Sequence, residues 1–335
     1  MNQIASTTSL APIPYAPKTF GQILDRIFRL MRTHFWLLTG LAVPPTAVLF
    51  LAIASIEAVV WVPMIRQWPK PPAPELIFRY FTPGIFIPAV IVITLLSLAI
   101  FSIYLAAASY ASTRADSGVK TAFREAYGFA WRRGRRHLWL LVLCYLYAFL
   151  PLLVVEGVAA VTAFALVHGG GHTANPALFM LIPLAVLFYI AAIVYGIMMA
   201  LRLSLAFPAC VEENLTARAA INRSFQLSRG AKGRIFLVVL VIYAALYAAI
   251  MVAEVVVMFL AAIGFFAAMA LHAHLSAPWS YIGVGLIGIC VLAGIVLLTS
   301  LTYAALMTAL AVLYHDQRLR KEGLLPAPPQ ATEPA

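Results

Sequence analysis

Three glutamates stand inside long apolar runs of this chain, Glu57, Glu156 and Glu254, and they follow one another at intervals of 99 and 98 residues. An ionised carboxylate in hydrocarbon costs about 2–3 kcal/mol or more at the bilayer centre, so such residues face a bundle interior and mark ion or proton pathways. The spacing predicts one equivalent polar site in three repeated units, suited to passing a cation or proton or to holding a polar head group. The other reading is that each glutamate ends a span close to the outer boundary and is hydrated there. Arg202 is the cation inside an apolar run, nine residues before Val211 and about 13 Å deep on ideal helix rise. We expect it to snorkel to lipid phosphate or to Glu212 and Glu213, at a helix end marked by Pro208. Four imidazoles, His168, His172, His272 and His274, share one side of the membrane and with a glutamate have the ligand chemistry of a zinc site. Their spacing matches no metal motif, and we expect neither metal nor cofactor. A membrane-embedded, metal-dependent enzyme of lipid metabolism is the alternative reading.

These groups must be held by helices that cross a bilayer. Of 335 residues 63% are hydrophobic and 10% charged, whereas a soluble domain carries about 25% charged and 45–50% apolar residues. That excludes a cytosolic enzyme and a secreted disulfide scaffold, since Cys144, Cys210 and Cys290 all lie in apolar runs where they act as small hydrophobes. A spanning helix needs about 20 apolar residues. Six stretches qualify: Phe35 to Val62, Gly84 to Tyr110, Leu138 to Val167, Leu178 to Phe207, Ile235 to Leu271 and Ser280 to Tyr314. The fifth is long enough to hide a break near Gly264 but too short for two spans, so it counts as one. Pro44, Pro45, Pro151 and Pro183 are kink positions, each removing a backbone donor.

Basic residues set the orientation. Four lie between Lys18 and Arg32, seven between Arg114 and Arg136, five between Arg218 and Arg234, and Arg318, Arg320 and Lys321 follow the last span. The other side holds Arg66, Lys70 and Arg79. Positive residues stay inside, which predicts both termini in the cytoplasm. The net charge of +11 then needs no nucleic acid; it lies where anionic lipid head groups attract each Lys or Arg by about 1 kcal/mol. Residues 1–17 and 323–335 read as disordered, proline-bearing tails, with no appended soluble domain and no cleaved signal.

The segments before the odd-numbered spans align with one another. Phe20, Ile23, Leu24, Ile27, Phe28 and Met31 form an apolar stripe at helical spacing; Val119, Ala122, Phe123, Ala126, Tyr127 and Ala130 repeat it. Ala217, Ala220, Ile221, Ser224, Phe225 and Ser228 repeat it again. Leu24, Phe123 and Ile221 stand 99 and 98 apart, as do Phe28, Tyr127 and Phe225. The expected architecture is therefore all-α, a single membrane domain over 18–322 in three repeats (18–118, 119–215, 216–322), each an interfacial amphipathic helix plus two spans. The alternative is that these helices cap the bundle end. The run Arg132, Arg133, Arg135, Arg136 is suited to an acidic lipid or to a stop-transfer role.

Catalytic patterns are lacking: there is no Gly-rich phosphate loop, no Gly-x-Ser-x-Gly elbow and no nucleophile beside a base. Glu212-Glu213 with Arg218 is similar to the paired-glutamate motif of intramembrane prenyl-protein proteases, but the arginine comes one position late. The stretch from Arg202 to Arg234, with Pro208, Glu212, Ala219-Ala220, Arg223-Ser224, Leu227 and Arg229-Gly230, resembles the bacterial six-span proteins grouped as the membrane domain of glycerophosphoryl diester phosphodiesterases. Phe20 to Arg26 resembles their start, and Tyr314, Asp316, Arg318, Arg320, Lys321, Glu322 and Gly323 their end. The resemblance implies a six-span protein of the bacterial inner membrane. Some members carry a phosphodiesterase barrel after the membrane part, and the barrel supplies their catalytic acids and histidines, so the resemblance transfers no activity. The reading that follows is a non-enzymatic membrane protein, a lipid-associated scaffold or a permease with Glu57, Glu156, Glu254 and Arg202 as its polar site and anionic lipids as partners.

Overall fold

A computed structural model describes residues 17–66, 83–168, 176–272 and 277–323; the side chains of 56–66, 83–87, 163–168, 176–182, 261, 265, 267–272, 277–285 and 287 lie outside it. All regular structure among these residues is helical. In chain order the helices are α1 (Phe20–Thr33), α2 (Phe35–Arg66), α3 (Pro83–Asp116), α4 (Phe123–Arg132), α5 (Gly134–His168), α6 (Pro176–Leu203), α7 (Ala206–Glu212), α8 (Ala217–Ser228), α9 (Lys232–His272) and α10 (Ala277–Glu322).

Six of these segments are long and apolar enough to cross a membrane, the architecture of a multi-pass membrane protein. The flanks agree: Leu95, Val158, Val161, Leu187, Val255 and Phe259 are all exposed on the bundle's outside, where water would penalise them and lipid would not. The fourth run differs from expectation. Its helix ends at Leu203, and after a turn at Ser204 and Leu205 the last two residues of the run, Ala206 and Phe207, open the separate helix α7, which is buried along nearly its whole length. The fifth run is one helix, unbroken at Gly264, and Pro151 and Pro183 sit inside continuous helices. The expected tails lie outside the described residues, apart from Pro17 and Gly323.

Helix α3 is a hub together with α10: its second half, from Ser102 to Asp116, is buried at most positions, and the helix meets α2, α4, α5, α7 and α10. Small residues make this possible: Ala106, Ala107, Ala108, Ser109, Ala111 and Ser112 let neighbouring backbones approach closely. One core joins α1, α2, α3, α9 and α10 around Leu38, Tyr104, Leu313 and Tyr314; a second joins α5, α6, α7 and α8 around Leu140, Cys210 and Ile221.

Two of the short helices start at threonine caps. Thr19 caps α1 in a reciprocal box with Gln22, and Thr216 accepts from Ala219 N–H at the start of α8. Gly118 and Gly230, both with φ +78°, end α3 and α8 in the left-handed conformation that a side chain would resist. Their apolar stripes meet protein: Ile23, Ile27, Leu30 and Met31 of α1, Ala126 and Ala130 of α4, and Ala220, Ile221 and Leu227 of α8 are buried. Phe28 and Phe123 are the large stripe residues left exposed.

Candidate functional site

The sequence-predicted residues fall on separate helices. Glu57 lies on α2, Glu156 on α5 and Glu254 on α9. The Glu57 side chain is outside the described residues, Glu156 is exposed and Glu254 half-buried. Neither Glu156 nor Glu254 has a hydrogen-bond or ion-pair partner among the described residues. His172 and His274 lie outside the described residues, as do the side chains of His168 and His272. Among the described residues no group of three His, Cys, Asp or Glu side chains is placed to hold a metal. Arg202 ends α6 exposed, with its guanidinium 5.7 Å from the Phe225 ring centroid and not on Glu212 or Glu213; its carbonyl accepts the Ser224 hydroxyl at 2.5 Å. The break at Ser204 explains this: it turns the chain before the two glutamates, and Glu213 goes elsewhere.

What the fold does bring together is a set of buried charges at the end of the bundle where the basic segments lie. Asp316, on α10, has a fully buried carboxylate (0% exposed). Its Oδ1 accepts from the Lys18 backbone N–H at 2.8 Å, and its Oδ2 takes Arg320 Nε at 2.9 Å and Arg234 Nη1 at 3.4 Å. The Lys18 carbonyl accepts from the same two guanidinium groups, so α1, α9 and α10 are tied at one point. Asp116, the last residue of α3, accepts Arg26 Nε at 2.8 Å on Oδ1, and its Oδ2 lies 2.7 Å from His315 Nδ1; its carbonyl takes Arg26 Nη2 at 2.6 Å. Charge-assisted bonds of this kind are about twice as strong as neutral ones. Glu213 accepts from Arg223 Nε at 2.9 Å and from the Tyr314 hydroxyl at 2.7 Å, while Arg223 reaches Glu322 with its other arm. Glu125 accepts from Arg114 and Tyr110, each at 2.8 Å, joining α4 to α3.

Burial alone would lower the Arg223 pKa, but the hydrogen bonds it donates to the Glu213 and Glu322 carboxylates outweigh it and hold the group above its ordinary value. Burial pushes the Tyr127 phenol up to about 12; its hydroxyl donates to the Leu41 carbonyl at 2.7 Å.

Sequence reasoning did not single out Asp116 or Asn214. A signal was present: Asp116, Asn214 and Asp316 follow one another at 98 and 102 residues, near the repeat interval. Arg32, Arg124, Arg132, Arg135 and Arg218 have no ion pair among the described residues and are all exposed, as are Trp36 (86% exposed) and Trp131 (74% exposed). No family model matches the chain, and no curated protein or solved structure matches it.

Proposed function

We propose that this is a non-enzymatic, lipid-associated scaffold of the bacterial inner membrane, with both termini in the cytoplasm and a basic cytoplasmic face set against anionic head groups. The observation that carries the reading is the sorting of charge at one end of the bundle. Asp25, Asp116, Glu125, Glu213, Asp316 and Glu322 are all engaged in ion pairs, while Arg32, Arg124, Arg132, Arg135 and Arg218, which have none among the described residues, are exposed, as are Trp36 and Trp131. Tryptophan and arginine together suit the head-group level, where one needs an amphipathic boundary and the other a phosphate.

The three-unit organisation belongs to this proposal. Its support is that α1, α4 and α8 each precede a long helix, at the register positions where the apolar stripe repeats. At the position two residues beyond Leu24, Phe123 and Ile221 stand Arg26, Glu125 and Arg223, and all three make an ion pair with the end of a preceding or following span. The family resemblance is likewise proposed. Its quoted residues Arg26, Arg223, Tyr314, Asp316, Arg320 and Glu322 are ties in the buried network, a role that asks for no hydrolysis.

The test uses full-length protein keeping Trp131 as its sole tryptophan, in vesicles of lipid brominated near the head group. Brominated phosphatidylglycerol is expected to quench Trp131 more strongly than brominated phosphatidylcholine. Replacing Arg124, Arg132 and Arg135 with glutamine should equalise the two. Equal quenching of the unaltered arginine set by both lipids, or none by either, overturns the reading.

A further inference from the structure

At the corner where α4 runs into α5, two guanidinium groups converge on one neutral atom. Arg133 and Arg136 both donate to Asn214 Oδ1, the latter from Nη1 at 2.7 Å. Neither arginine has an ion-pair partner among the described residues. The nearby carboxylate of Glu213 is already held by Arg223 and Tyr314. Arg136 Nε and Nη2 are buried with no hydrogen-bond partner, and so are both ring nitrogens of the fully buried His137 beside it. Buried charged donors left open carry a desolvation penalty that a bound acceptor would remove.

The backbone adds to this. The corner is the N-terminus of α5, a helix of 35 residues with no acidic residue in its first turn. That end carries about half a positive charge and favours an anion, yet the chain places Arg135 and Arg136 there. The corresponding corner between α8 and α9 shows how the same arrangement is neutralised. Arg234 stands 98 residues after Arg136 and pairs with the buried carboxylate of Asp316. Asn214 falls where Asp116 and Asp316 would lead one to expect an acid. It has φ +51°, a conformation that asparagine and aspartate both adopt, so backbone geometry does not explain the amide.

We propose that Arg133, Arg136 and the N-terminus of α5 form a binding site for a phosphate group, with Asn214 Oδ1 holding the two guanidinium forks in place. Planar guanidinium groups match phosphate oxygens in pairs, and an amide at 214 orients them without neutralising them. The site lies at the start of a span, one helical turn before the exposed Trp139. A lipid head group or free phosphate would supply the same chemistry; the lipid source rests on the proposed scaffold reading, whereas the site does not.

The experiment titrates full-length protein in detergent with inorganic phosphate and with dioctanoyl phosphatidic acid, comparing wild type with Asn214→Asp and Arg136→Gln. Asn214→Asp supplies the missing carboxylate in nearly the same volume. It is expected to raise the melting temperature of the ligand-free protein and to weaken binding of the probe about ten- to a hundredfold. Arg136→Gln should weaken binding comparably without that rise. Binding of phosphatidic acid alone assigns a lipid source; binding of inorganic phosphate supports the site and separates it from the lipid reading. Wild type binding neither probe, or Asn214→Asp binding as tightly as wild type, overturns the site whatever the tryptophan quenching shows.

Discussion

Asp316 and Asp25 mark the two extremes of what a carboxylate contributes here. The Asp316 carboxylate is wholly buried, with Arg234 and Arg320 on one oxygen. Asp316→Asn would leave two arginines uncompensated in a poorly hydrated place, and removing one partner of such a group costs about 3–5 kcal/mol. Thermal unfolding in detergent should show a large drop in melting temperature. Asp25 pairs with Arg29 one turn away, both largely exposed. Water screens that pair, so Asp25→Ala should cost under about 0.5 kcal/mol in the same assay. Glu156→Gln and Glu254→Gln break no contact among the described residues. Each should shift stability by no more than about 0.5 kcal/mol; a large loss would mean that these carboxylates are held by partners after all. The buried acids at the basic end are structural, then, while Glu156 and Glu254 hold no contact among the described residues that would tie them to the fold.

The short helices act as clamps between long ones. Helix α4 is tied to α3 through Glu125 and to α2 through the Tyr127 hydroxyl on the Leu41 carbonyl. At the end of α8, Lys321 Nζ donates to the carbonyls of Gln226 and Arg229, a cation placed where the helix dipole is negative. Tyr127→Phe removes one such tie and should cost about 1 kcal/mol. The pH dependence follows from the raised phenol pKa. An unfolded tyrosine ionises near 10, and this one only near 12. Its contribution is therefore fully present below pH 10 and lost as pH rises toward 12. Chemical denaturation of wild type and Tyr127→Phe across pH 8 to 12 should give a gap that is constant at first and closes at the alkaline end. A gap that stays open would show that Tyr127 ionises equally in both states.

For the whole molecule, the proposed orientation makes the strongest demand. Cysteines placed singly in a cysteine-free background at positions 172 and 276 should react with an impermeant reagent from outside the cell, and those at 120 and 230 should not; the opposite pattern would invert the scaffold reading. That prediction comes from the local composition of the chain, as do the six spans. Hydropathy over some twenty residues decides whether a segment prefers lipid, and no distant contact can reverse it, so Phe35 already reads as the start of a span. The caps at Thr19 and Thr216 are local too, since each bonds a donor three residues on, but they were not singled out from the sequence. Partner choice was not local. Arg26 meets Asp116 at a separation of 90 residues and Tyr314 meets Glu213 at 101. Nothing in a one-dimensional pattern ranks those acids above others for a given arginine. The stripe of Ile23, Ile27 and Leu30 shows the same limit: periodicity establishes that one face avoids water, but lipid and a neighbouring helix satisfy it equally well. Only packing against α10 decided that protein covers it, just as only the turn at Ser204 took Arg202 away from Glu213. Whether a charge is neutralised depends on which groups the fold places within a few ångströms of it, because attraction falls with distance while the desolvation penalty grows with depth.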